Sequence, residues 1–271
     1  MTFQFIEPSG FLKHYIRPYC FMESDMNEPD LVERVIPTEG IQIMFHYKTP
    51  FVVLHPNQPG TSQSRSFISG LSDSFSDVST NGTTGVVFIN FYPIGASFFF
   101  NFPLSEIENK NVDLSDLFKS EIQDVEEQLF LKNSIHERVQ VIEQFFVKRF
   151  NPIGNHDQIL IRKGIEVIKH HKGIVSAKSL SESLYTTPKT LERKFSQYIG
   201  KSTKQVIKLI RFQDLLSDFK PSKISNLSEF ALQKGYFDQS HFIHDFKSYT
   251  GYTPKEFAQK YPDYSKDGET C

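Results

Sequence analysis

Two stretches 51 positions apart carry one pattern: Phe195-Ser196-Gln197-Tyr198-Ile199-Gly200 and Phe246-Lys247-Ser248-Tyr249-Thr250-Gly251 both read Phe-x-x-Tyr-x-Gly. The same shift lays Tyr185 on Tyr236, Leu191 on Phe242 and Val206 on Phe257. A period of this kind marks one supersecondary unit used twice, because such a unit cannot bury its apolar face alone. Both copies end on glycine, which adopts the left-handed conformation beyond a helix C-terminus without steric penalty. The C-terminal half is thereby restricted to short helices in a duplicated arrangement.

In the first copy, Ser176 to Leu184 reads as a short helix and Tyr185-Thr186 as a tight turn. Thr187 is a good N-cap, and Pro188 stands at the first helical position, where its missing N–H loses no hydrogen bond. The helix from Pro188 to Ile199 buries Leu191, Phe195 and Tyr198 or Ile199, and turns Lys189, Glu192, Arg193, Ser196 and Gln197 outward. In the second copy Leu227 to Lys234 braces, Gly235-Tyr236 turns, and Asp238 caps a helix to Tyr249 that buries Phe242 and Phe246. Its outer face holds Gln239, Ser240, Ile243, His244 and Lys247. Each copy is thus a helix-turn-helix, a brace and a polar-faced helix able to enter a major groove. Between them Thr203 to Phe219 forms one longer helix, stopped by Lys220-Pro221-Ser222. Such a spacer suits two readers about one duplex turn apart, roughly 34 Å.

Charge separates along the chain in the same sense. The net charge of −2 hides 11 Lys and Arg against 19 Asp and Glu over residues 1–155, and 19 against 13 over 156–271. A basic half facing a polyanion and an acidic half of another purpose fit that split. The acidic half also holds 19 of the 27 phenylalanines. Ile41 to Tyr47, Phe51 to Leu54, Ser66 to Gly70 and Val86 to Phe91 read as short strands, separated by turns such as Asn57-Gln58-Pro59-Gly60 and Asn81-Gly82. Many short strands predict a barrel or sandwich. After Asn101 the period becomes helical, with Leu117, Phe118, Ile122, Val125 and Leu129, then Ile135, Val139, Ile142, Phe145 and Phe146. Those helices can seam a homodimer or pack back onto the strands. Asn151 to Asn155 breaks the pattern and marks a boundary.

At this point the sequence resembles the AraC/XylS family of transcriptional regulators, over about Ile159 to Tyr261. The strongest stretch is Phe230-Ala231-Leu232-Gln233-Lys234-Gly235-Tyr236-Phe237-Asp238-Gln239-Ser240-His241-Phe242, followed by Gly251-Tyr252-Thr253-Pro254, together with Thr187 to Phe195 of the first copy. The resemblance implies base readers at Lys189, Glu192 and Arg193 and at Gln239, Ser240, Ile243 and His244, with Ser196, Gln197 and Lys247 on the same faces. Arg193 can bridge guanine O6 and N7, Gln239 suits adenine, and Glu192 can accept from cytosine N4. His244 stands where the family usually has Arg, and Phe237 where it usually has a small hydroxyl residue, so the second unit leans more on phosphate contacts. Glu33 to Gly40 and Phe91 to Ala96 resemble the sensor-type domain that precedes this module in many bacterial regulators. There Arg34 and Glu39 are candidate effector contacts, or else fix a turn between strands.

The expected fold class is α+β multidomain: an N-terminal β-barrel-like domain with trailing helices, then an all-α domain of two helix-turn-helix units joined by a long helix. The expected domains are a regulatory, effector-binding or dimerisation domain over 1–152, a DNA-binding domain over 156–261 and a flexible tail over 262–271. Double-stranded DNA and RNA polymerase are the implied partners, with a small-molecule effector and a homodimer as further ones. The implied location is the bacterial cytoplasm, on the nucleoid. Cys20 and Cys271 cannot form a disulfide framework or a four-thiolate zinc site, which predicts a reduced chain. Met1 to Phe5 does not open a signal peptide, and Val86 to Leu104 is too interrupted to span a membrane. His46 and His55 lack the converging ligands a metal needs, so neither a metal nor a cofactor is expected. No nucleophile elbow or phosphate loop supports an enzyme. The competing class is an interaction or architectural protein that keeps this fold without specific DNA readout.

Overall fold

The computed structural model describes residues 1–25, 30–152, 154–220 and 226–262. The tail expected beyond 262 and the stop at Pro221-Ser222 lie outside the described residues. The N-terminal half supplies strands β1 (Thr2–Ile6), β2 (Tyr19–Ser24), β3 (Val32–Val35), β4 (Gln42–His46), β5 (Val52–His55), β6 (Gln58–Ser62), β7 (Ser66–Ser69), β8 (Ser76–Ser79), β9 (Thr84–Asn90) and β10 (Asn111–Asp113). They form two antiparallel sheets, ordered β1-β2-β9-β4-β7-β10 and β3-β8-β5-β6. Neither order closes on itself, so the expected β-rich domain is built of two open sheets.

Strand β9 shows why its sequence is a continuous apolar run. It lies between β2 and β4, pairing Phe88 with both Cys20 and Met44. Val87 and Ile89 face the main core with Phe21, Ile43 and Phe45, while Val86 and Phe88 face a second cluster with Phe51 and Val78 from the region of the smaller sheet. With both faces covered, alternation disappears. The Asn57 to Gly60 turn is shorter than expected: Asn57 takes φ 58°, and Gln58, Pro59 and Gly60 already belong to β6. Strand β6 is an edge, where a proline lacking an N–H is tolerated. Cys20 is buried in β2, and Cys271 lies outside the described residues.

Helices α1 (Leu114–Phe118), α2 (Ser120–Leu131) and α3 (Ile135–Arg149) follow, with a break at Lys119, φ 50°. A reciprocal Ser134–Glu137 capping box starts α3. Their apolar faces pack back onto the large sheet, Phe145 edge-on to Phe45 at 6.3 Å and Phe146 edge-on to Phe91 at 5.6 Å. Phe98, Phe99 and Phe100 are all buried in the same core.

The C-terminal half is helical: α4 (Asn155–His170), α5 (Ala177–Ser183), α6 (Pro188–Ile199), α7 (Thr203–Ser217), α8 (Leu227–Gln233), α9 (Gln239–Thr250) and α10 (Pro254–Lys260). Leu180, Leu191, Phe195 and Ile199 of the first unit join the apolar cluster of the β-rich half. The second unit closes around Phe212, Phe230, Phe242, Phe246 and Phe257. Helix α7 serves both, giving Val206 and Ile210 to the first cluster and Leu209, Phe212 and Leu216 to the second.

The repeat is not in one register. The brace N-caps Ser176 and Asn226 lie 50 positions apart, whereas the reader N-caps Thr187 and Asp238 lie 51 apart. The second turn therefore holds one extra residue before its N-cap. Tyr185, φ 51°, corresponds to Gly235, φ 75°, rather than to Tyr236. Burial agrees, since Tyr185 is 98% exposed and Tyr236 2%.

Candidate nucleic-acid interface

Helix α6 begins as its sequence dictates. Thr187 Oγ1 accepts the Thr190 N–H at 3.1 Å, Pro188 follows, and Gly200 closes the helix at φ 96°. Asp238 caps α9 by accepting the His241 N–H at 2.7 Å, and Gly251 ends it at φ 75°. Leu191, Phe195 and Ile199 on α6, and Phe242 and Phe246 on α9, turn inward. That fixes which sides face solvent.

On α6, Lys189, Glu192 and Arg193 are exposed, while Ser196 and Gln197 are half-buried. Neither Lys189 nor Arg193 makes a side-chain hydrogen bond or ion pair among the described residues. Glu192 differs: its Oε2 accepts the Thr203 N–H at 3.0 Å, a favourable place for a carboxylate at the N-terminus of α7. On α9, Gln239, Ser240, His244 and Lys247 are exposed, and Ile243 is half-buried against the second core. Gln239 Oε1 accepts from the Ser228 hydroxyl at 2.7 Å, so its amide N–H groups stay available. His244 and His241 each bring a ring nitrogen to 3.7 Å from the buried Asp245, which Lys208 of α7 neutralises at 2.9 Å.

Sequence reasoning missed the groups that hold the readers. Phe212 stacks on Tyr249 at 4.4 Å, and Lys234 bridges Asp214 and Asp218 at 2.6 and 2.5 Å, fixing the second unit to α7. Lys204 and Lys255, one repeat apart in the first turns of α7 and α10, are both exposed. Their equivalence was visible in the repeat as the lysines after Thr203 and Pro254.

Each reader also ends against the β-rich half. A Cβ on Gly200 would lie 3.0 Å from the Leu104 carbonyl oxygen, and one on Gly251 2.3 Å from Arg34 Nη1. Beyond Gly200, Lys201 is 1% exposed and reaches Asp73 and Glu108 at 2.9 Å each. Arg34 and Glu39 are engaged in the same way. Arg34 binds Asp77 with Nε and Nη2 at 2.7 Å each, donates Nη1 to the Thr250 carbonyl at 3.1 Å, and lies between the rings of Phe75 and Tyr252 at 4.0 and 4.2 Å. Glu39 takes Arg17 at 2.9 Å and Lys169 of α4 at 2.5 Å. Both residues join the two halves. His46, singled out for metal, is buried with Nε2 3.0 Å from Gln63 Oε1, and burial pushes its pKa down to about 4. His55 is exposed on β5.

Two helix-turn-helix units with outward polar faces define a DNA-binding protein class. Family comparison agrees: residues 180–260 match the helix-turn-helix domain family and residues 4–113 match a domain of unknown function, DUF6597. Residues 180–260 thus form an AraC-type helix-turn-helix domain, preceded by the β-rich domain. Among solved structures it is similar to ToxT from Vibrio cholerae, 14% identical over 90% of this chain and 97% of that one, TM-score 0.44. Another ToxT structure, with an unsaturated fatty acid bound, is 16% identical over 86% of this chain and 96% of that one, TM-score 0.40. The C-terminal domain of AraT, a response regulator from Geobacillus stearothermophilus, is 23% identical over 41% of this chain and 91% of that domain, TM-score 0.35. No curated protein matches in sequence.

Proposed function

We propose that the chain reads specific DNA with α6 and α9 in successive major grooves, and that residues 1–152 regulate how residues 156–261 are presented. The observation that carries this reading is the pair of exposed, largely uncommitted polar faces, with Lys189 and Arg193 on α6 and Ser240, His244 and Lys247 on α9. Glu192, Ser196, Gln197, Gln239 and Ile243 complete the two faces. Helix α7 sets the separation, and DNA readout of this kind requires that separation to be defined.

Regulation is supported by the contacts that tie both readers to the β-rich half, because anything that moves those contacts shifts the readers. Arg34 and Glu39, the candidate effector contacts, also couple the two halves on this reading. A surface groove of about 570 Å³ bordered by Phe102, Leu117, Phe118, Lys148 and Arg149 is the candidate effector site in this half. An effector works only if it binds two presentations with different affinity. RNA polymerase is the downstream partner on this reading, a homodimer the form that binds tandem sites, and the bacterial nucleoid the place of action.

Selection of bound sequences from a random duplex pool, read at two salt concentrations, tests the proposal. A specific regulator enriches a two-part site and retains its preference as the phosphate contribution falls with salt. Equal binding to all duplexes would assign the fold to an architectural role instead.

A further inference from the structure

The turns that launch the two readers carry the most exposed aromatic rings of the described chain. Tyr185 is 98% exposed and Phe237 is 86% exposed. No ring, hydrogen-bond or cation contact is made by either side chain among the described residues. Tyr185 stands two positions before the Thr187 N-cap, and Phe237 one position before the Asp238 N-cap.

Neither residue is explained by folding. Tyr185 occupies the left-handed region at φ 51°, where the equivalent position of the second unit has Gly235 at φ 75°. An L-residue with a bulky side chain is disfavoured there, and glycine would remove the strain. A buried ring could offset that strain through packing, but this ring is in water. Phe237 belongs to a turn with one residue more than the first turn requires. Two different local solutions therefore present an aromatic ring within two residues of a reader N-cap, beside the N-terminal end of a groove-reading helix.

We infer that Tyr185 and Phe237 rest on the sugar–phosphate backbone at the edge of each major groove, the partner being duplex DNA. The inference rests on the proposed reading of α6 and α9, with which these rings are continuous. Reader helices place their N-terminal residues at base edges, so the adjoining turn lies where the backbone borders the groove. A tyrosine hydroxyl can donate to a phosphate oxygen and its ring can cover deoxyribose, while a phenylalanine offers the apolar contact alone. Such contacts position the protein and carry no sequence information.

The test exploits opposite signs. Full-length Tyr185→Gly is expected to melt at a higher temperature than wild type, since the left-handed turn becomes unstrained. The same variant should bind both a selected duplex and a random duplex about tenfold more weakly, as expected for one lost charge-assisted hydrogen bond. Tyr185→Phe should keep part of that affinity, and Phe237→Ser should weaken both duplexes alike. A Tyr185→Gly protein that melts higher but binds both duplexes as wild type does overturns the inference while leaving specific DNA binding intact. Loss confined to the selected duplex overturns it in favour of base readout, and loss of transcription activation at unchanged affinity overturns it in favour of a protein partner. If wild type itself prefers no duplex, the reading of α6 and α9 fails instead.

Discussion

Lys201 and Glu108 meet at 2.9 Å across the two halves of the chain, with the lysine side chain only 1% exposed. Asp73 completes the ammonium's ion pairs at 2.9 Å, and Gln205 donates to the same Glu108 oxygen at 2.8 Å. Replacing Lys201 by Met keeps the stem and removes the charge. The stranded carboxylates retain 45% and 28% exposure, so water can recover part of their solvation. The expected destabilisation is therefore about 1–3 kcal/mol, below that of an orphaned fully buried ion. Urea unfolding of Lys201→Met checks it, and an unchanged midpoint would show that the pair contributes nothing.

Arg34 tests whether that junction governs the readers. Lysine at this position keeps the positive charge but loses the two-point grip on Asp77 and the planar fit between Phe75 and Tyr252. Arg34→Lys should loosen the C-terminal end of α9, seen as faster hydrogen exchange over residues 239–252. Inserting about five base pairs between half-sites turns one groove to the opposite side of the duplex. Wild type should lose most of its affinity for such a site, and Arg34→Lys proportionally less. Equal losses would mean that α7 alone sets the spacing.

Two windows of acid sensitivity are expected. His46 is held neutral by burial, with its pKa pushed down to about 4, against an unfolded value near 6.5. The unfolded chain thus takes up a proton before the folded one, and stability present above about pH 6.5 is lost as pH falls toward 4. Between pH 7 and 5 this amounts to about 2 kcal/mol, which His46→Leu should abolish in denaturation curves at the two pH values. Burial alone would raise the Asp73 carboxyl, but hydrogen bonds from Lys201 and Asn109 and the charge of Lys201 outweigh it and lower the pKa. Its contribution is present above the ordinary aspartate range and fades only below about pH 4.

The helical half was more legible than the β-rich half, for physical reasons. Capping chemistry is local, so Thr187-Pro188, Asp238 and the closing glycines mark both readers without reference to anything distant. Strands lacking an apolar signature escaped notice: β3 is largely exposed and β6 wholly so, their residues held by ladder hydrogen bonds that composition does not reveal. The shift of register between the units was hidden because Tyr185 and Tyr236 coincide in type while differing completely in burial. Arg34 and Glu39 stood out only through the resemblance of Glu33 to Gly40 to a sensor-type domain; their partners Thr250 and Lys169 are far along the chain, and no local pattern encodes that distance.

Glu192 and Arg193 are neighbours with separable roles. Arg193 has no hydrogen bond or ion pair among the described residues, whereas one oxygen of Glu192 is committed to the Thr203 N–H and the other remains open. Arg193→Ala should therefore leave thermal stability near wild type while relaxing preference at one guanine, at about 1–3 kcal/mol in binding. Glu192→Gln keeps an acceptor for Thr203 and loses the favourable charge at the start of α7, a stability cost of about 0.3–1 kcal/mol. If the open oxygen accepts from a cytosine amine, the amide should move preference at that position toward adenine. Repeating the random-pool selection with Glu192→Gln reads this directly, and an unchanged base at every position would reduce Glu192 to the cap of α7.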